Sequence, residues 1–172
     1  MFFSYRQISE ERRKIYVLDH TGTPFTANLT DMEVNRPVEY VAQVELFHNT
    51  FFSLTPDPAF IEAQMNRAMN FVDQTGMAQY NNLKESGYFN SILSSSAVIT
   101  LHKDSIVVDG DHFTYYGKQR IERPSNIVTR NLVTQGHLKD IPRSLNNSHG
   151  VLITNWKTIS NKDISNVTKN NI

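Results

Sequence analysis

Apolar residues change their spacing at Ser94-Ser95-Ser96, and that change narrows the choice of fold more than any other feature. Between Pro37 and Leu93 they recur three or four apart, as on one helix face. Beyond Ser96 they alternate or cluster in short runs, as in β-strands. Helices gathered ahead of antiparallel strands imply an α+β domain, with the helices packed on one face of a curved sheet.

The helical half resolves further. Tyr40, Val41, Val44, Phe47, Phe51 and Leu54 form one wide apolar face behind Pro37, a residue tolerated at a helix start. Asp57-Pro58 reads as a cap followed by a first-position proline, and Ile61, Met65, Ala68, Met69 and Val72 carry a second helix that Gly76 would end. A third helix uses Tyr80 and Leu83 and closes at Gly87; Tyr88, Phe89, Ile92 and Leu93 form a last short one.

In the β half, Ala97 to Leu101 and Ile106 to Val108 flank a polar step at Lys103-Asp104, and Asp109-Gly110-Asp111 signals a tight hairpin. A strand from His112 to Arg123 breaks at Arg123-Pro124-Ser125, and a second long strand runs from Ile127 to Ile141. After a polar loop from Pro142 to Gly150, Val151 to Trp156 reads as the last strand. Ahead of all this, Ser4 to Arg12 suits a short helix, while Lys14–Leu18 and Phe25–Leu29, joined by a turn cluster, suit a hairpin or an extended arm. From Ser160 the chain is rich in asparagine, lysine and serine, the composition of a tail.

With 172 residues the chain has room for one domain. Its 17 Lys+Arg balance its 17 Asp+Glu, so no net field draws it to phosphate backbones or anionic lipid. Without cysteine it has no disulfides, thiolate nucleophiles or cysteine-based metal sites. No stretch approaches the roughly 20 consecutive apolar residues of a membrane-spanning helix.

Several residue groups carry candidate chemistry. His102, Asp104, Asp109, Asp111 and His112 surround a hairpin and include oxygen and imidazole donors, although Asp-Gly-Asp is also ordinary turn chemistry. We assign neither a metal nor another cofactor. His48, Asp73 and His137 are the candidates for proton transfer in a cavity. Tyr115, Tyr116, Gln119 and Arg120 mix aromatic and basic groups, but alternation sends the two tyrosines to opposite faces. Glycine-rich phosphate loops, a nucleophile elbow and a helical zinc motif are missing, and no catalytic residue is assigned. Triplets of glycosylation type open at Asn28, Asn146 and Asn166.

Several stretches are distinctive in composition and order: Arg13-Lys14-Ile15-Tyr16-Val17-Leu18-Asp19, Val44-Glu45-Leu46-Phe47-His48 with Phe51-Phe52, and Pro56-Asp57. Ala78-Gln79-Tyr80-Asn81, Leu83-Lys84-Glu85, Asp104-Ser105-Ile106 and Phe113-Thr114-Tyr115-Tyr116-Gly117 follow, then Gln119-Arg120-Ile121-Glu122-Arg123, His149-Gly150 and Asn155-Trp156. Together they resemble the TraK family of conjugative-transposon transfer proteins, collinear from about Arg13 to Asp163. TraK-type proteins are similar to the VirB-eight-like components of type IV secretion systems.

The resemblance implies a nuclear-transport-factor-2-like (cystatin-like) curved antiparallel sheet packed against N-terminal helices. It also implies a periplasmic protein anchored in the inner membrane, with 1–12 a juxtamembrane segment after an anchor not included here, 13–160 a single periplasmic domain, and 161–172 a mobile C-terminal tail. The implied role is a non-enzymatic assembly component of a conjugative DNA-transfer apparatus. Its partners would be other transfer proteins and further copies of itself, without direct nucleic-acid contact. A small-molecule-binding or proton-transfer enzyme using the cavity of that fold is the alternative. Tyr40, Phe47, Phe51, Phe52, Tyr116 and Arg120 are the expected protein-interaction residues, because the first long helix is apolar on more than one side. Burial between the sheet and the second helix suits the helical members of that set equally well.

Overall fold

The computed structural model describes residues 14–18, 24–28 and 32–169. The helix expected over Ser4 to Arg12 lies outside them. The chain divides into two compact units, Met1–Pro37 and Val38–Ile172. In the first, Lys14–Leu18 (β1) pairs antiparallel with Pro24–Asn28 (β2), Lys14 opposite Asn28 and Leu18 opposite Pro24, the first of the two arrangements expected for this ribbon.

Helix α1 spans Met32–Phe52, so it begins a turn ahead of the expected start and carries Pro37 inside it. Proline lacks the N–H that would bond the carbonyl four residues back, and the boundary between the two units falls at this residue. Helix α2, Pro58–Ala68, starts as expected: the Asp57 carboxylate accepts from the backbone N–H groups of Ala59 at 2.8 Å and Phe60 at 3.1 Å. It stops at Ala68, well before Gly76. That glycine instead lies in the first turn of α3, Gln74–Glu85, where an added Cβ would sit 2.2 Å from Val72 Cγ1. Close packing, not helix termination, requires glycine there. Gly87 adopts φ +75°, breaking α3 from the short α4, Tyr88–Ser94.

The strands are β3 (Val98–Asp109), β4 (His112–Glu122), β5 (Asn126–Asp140), β6 (Val151–Ser160) and β7 (Asp163–Thr168). They form an open, wholly antiparallel five-stranded sheet in the order β3-β4-β5-β6, with β7 also on β5. The polar step at Lys103-Asp104 proves to be a register shift inside one continuous β3. Asp109 pairs with His112 across a two-residue loop in which Gly110 takes φ +59°.

Two expectations fail at the C-terminal end. β6 runs on to Ser160, and the stretch read as a tail contains β7. β6 takes Val133 to Asp140 of β5, and β7 takes Asn126 to Arg130 on the same edge. Asn131 joins the two: its N–H donates to the Lys162 carbonyl, and its side-chain oxygen accepts from the Lys162 N–H, both at 2.9 Å.

One face of the sheet carries the core. Phe113, Tyr115 and Ile121 on β4, Leu132 and Leu138 on β5, and Ile153 and Trp156 on β6 are buried against Val44, Phe47, Ile61, Met65 and Ile92 of the helices. Each fully buried side chain of this size contributes about 1.5–3 kcal/mol. Chain segments also close part of the sheet's edges. Leu54 exchanges backbone hydrogen bonds with Ile99 at the start of β3, and Phe71 and Asp73 bond Ile153 along β6.

Candidate functional site

Helix α1 contributes four consecutive-turn aromatic rings, Phe47, His48, Phe51 and Phe52, to a cluster completed by Phe113, Tyr115 and Trp156. Phe47 meets Trp156 edge-on at 5.0 Å, and Phe51 meets it at 5.1 Å. Phe47, Phe51 and Phe52 are 0%, 2% and 8% exposed. They therefore hold the interior together and present nothing to a partner, which corrects their assignment as interaction residues. The apolar excess on α1 is that of a helix buried on two sides.

His48 lies flat on Tyr115, with ring centroids 3.9 Å apart. The Val44 carbonyl, 2.6 Å from Nδ1, can only accept, so Nδ1 carries the hydrogen and Nε2 accepts from the Thr134 hydroxyl, also at 2.6 Å. Burial depresses its pKa to about 3, against the smaller opposing effect of the Val44 carbonyl. The ring is neutral, with both nitrogens engaged. Burial raises the pKa of the Tyr115 hydroxyl, which has no hydrogen-bond partner among the described residues.

The other proton-transfer candidates lie elsewhere. Asp73 caps α3, accepting from the Thr75 N–H at 2.9 Å and its hydroxyl, and also from the Asn155 N–H at 3.1 Å. The Thr75 hydroxyl oxygen accepts from the Trp156 N–H at 2.9 Å, so the pair stitches α3 to β6. His137 pairs with His112 on the opposite face of the sheet, 3.3 Å from an Asp111 oxygen. His48, Asp73 and His137 do not converge. Nor do the hairpin donors: Asp104 is held by Lys118 Nζ at 2.8 Å, and among the described residues no group of three or more histidines and carboxylates is placed to hold a metal.

Tyr40, Tyr116 and Arg120 remain nearer the surface. The Tyr40 hydroxyl donates to Asp140 at 2.9 Å, beside an Arg143–Glu39 ion pair of 2.6 Å, and so fastens the end of β5 and the following loop to α1. Tyr116 is 40% exposed on the outer face, between Ser105 and Val133. Arg120 shares that face and engages Glu122. Lys169 and Arg120 together hold the Glu122 carboxyl below the usual range. Exposed Val98, Val107 and Val167 add apolar surface.

On the helical side, Ile61, Tyr80, Phe89 and Leu93 line a groove of about 460 Å³ flanked by Glu62 and Lys84. Two further residues escaped the sequence reading. Gln43 is buried on α1 and accepts from His149 Nδ1 at 2.8 Å; a buried glutamine among alternating polar positions gives no periodic signal. Asn147, inside a loop that reads only as polar, donates to the carbonyls of Val151 at 2.9 Å and Asn70 at 3.1 Å.

No protein-family model and no curated protein matches the sequence. Solved structures do. The soluble domain of TrwG, from the type IV secretion machinery of Bartonella grahamii, superposes with a TM-score of 0.58 at 11% identity, over 76% of this chain and 94% of that one. An IcmL-like type IV secretion system protein from Legionella pneumophila gives 0.56 at 10% identity, over 74% and 93%. The chain shares the fold of these type IV secretion proteins. At such identities the agreement lies in the order and packing of the elements, and it takes in nearly the whole of each neighbour. No helix among the described residues is long and apolar enough to cross a membrane.

Proposed function

We propose that the protein is a structural component of a type IV secretion apparatus. The observation that carries this reading is the near-complete coverage of the TrwG soluble domain, 94% of its length. In its finer form, the protein belongs to a conjugative machine of the TraK kind. It stands in the periplasm, is tethered to the inner membrane, and has a nuclear-transport-factor-2-like domain. Fold by itself carries no activity, but the aromatic packing supports a scaffold rather than an enzyme: seven rings fill the space between α1 and the sheet, and His48 has no free nitrogen.

On this reading, contacts with other transfer proteins are made by the outer sheet face around Tyr116 and Val107 and by the groove beside Tyr80 and Phe89. Individually modest contacts gain strength through repetition in an assembly. Deleting the domain from a conjugative donor should abolish mating transfer while leaving nicking of the DNA at its origin intact. Normal transfer after a clean deletion would reject the role.

A further inference from the structure

At the end of the sheet where β4 gives way to Arg123, α4 leaves the inner face partly open. A cleft of about 180 Å³ remains, with Tyr88, Ser91, Arg123 and Arg130 on its walls. Its floor is aliphatic: Ile92, Ile99 and Ile121 are all buried.

The polar groups on the walls are donors. Arg130 gives its Nε–H to Asp163 at 2.5 Å, which leaves its two terminal amino groups available. The Arg123 guanidinium and the hydroxyls of Tyr88 and Ser91 make no hydrogen bond among the described residues. Burial raises the pKa of the Tyr88 hydroxyl, against the smaller opposing fields of Arg130 and Arg123. Two guanidinium charges face one carboxylate, that of Asp163, so the cleft is positive although the chain as a whole is neutral.

Unpaired donors beside an apolar floor call for a ligand that is anionic at one end and aliphatic at the other. We propose that the cleft receives the C-terminal carboxylate of a partner polypeptide ending in an aliphatic residue. The carboxylate lies between the guanidiniums, with the Tyr88 hydroxyl donating to it, and the terminal side chain rests on the isoleucines. A free phosphate would satisfy the donors but leave the floor empty. A diacyl lipid has far more hydrocarbon than this space holds. The assignment is independent of the secretion role, because it rests on the cleft alone.

The test uses the whole chain and three probes: an N-acetylated tripeptide with a C-terminal leucine carboxylate, the same peptide as its amide, and sodium phosphate. Binding is followed by amide and arginine Nε–Hε NMR shifts. The acid should produce saturable shifts at Ser91, Arg123 and Arg130 with a millimolar Kd, and the amide none. Arg123→Gln should weaken the acid about tenfold and Tyr88→Phe about threefold, with melting temperature nearly unchanged because neither side chain has a hydrogen bond to lose among the described residues and the Tyr88 ring contact with Phe89 is kept. Equal response to acid and amide, binding of phosphate as tight as that of the acid, or no saturable shift up to about 10 mM peptide would each overturn the proposal.

Discussion

The two faces of β4 show opposite uses of one strand. Phe113, Tyr115, Gly117, Gln119 and Ile121 point inward and are buried, while Tyr116 and Lys118 between them are exposed. The inward set is fixed by shape: a Cβ on Gly117 would lie 2.8 Å from the Tyr115 ring, and one on Gly136 of β5 2.8 Å from the Phe113 ring. The outward set is held by charge pairs such as Lys118–Asp104, which water weakens. Adjacent residues therefore differ in what they are free to become, and along the middle of β4 the surface open to partners lies on the second set.

The largest expected effect comes from the inner face. Phe47→Ala should cost about 3–5 kcal/mol in chemical denaturation, because it empties the contact with Trp156 and Phe51. A loss below about 1 kcal/mol would mean that the aromatic cluster is loosely packed.

Acid tests the same region. The folded pKa of His48, about 3, lies below its ordinary value of 6.5, so the unfolded chain binds the proton first as pH falls. The contribution of this group to stability is fully present above 6.5 and is lost between 6.5 and 3, at roughly 1.4 kcal/mol per pH unit. His48→Gln should flatten that slope in denaturation curves measured at several pH values.

Gly117→Ala follows, at about 1–3 kcal/mol from overpacking against Tyr115. Smallest is Tyr116→Ala on the outer face, which should shift stability by no more than about 0.5 kcal/mol yet reduce mating transfer if that face meets a partner. A large destabilisation by Tyr116→Ala would erase the contrast between the faces.

Much of this architecture was legible from residue spacing. The three-to-four repeat through Val44, Phe47 and Phe51 and the alternation through Phe113, Tyr115 and Ile121 place α1 and β4 correctly. What spacing does not show is how many neighbours an apolar face has. Phe47, Phe51 and Phe52 looked like a surplus because a helix enclosed on two sides and a helix with a docking face share one pattern. Gly76 misled for a related reason: its role is set by Val72, a contact invisible in the order of residues.

β7 was missed because all six of its residues are exposed, so neither face imposes alternation. Its place is dictated by the vacant half of the β5 edge. The donor cleft was half visible: Arg123 was read as a strand break, but its meeting with Arg130 and Tyr88 depends on how α4 docks.

β5 serves as the spine on which three other strands are hung, and its far edge is divided between two of them. A chain shortened after Ser160 would lay bare the backbone from Asn126 to Arg130, an adhesive template that invites pairing with whichever strand arrives first. The polar C-terminal stretch thus acts as a guard against self-association, and trimming it for convenience would give a protein that clumps.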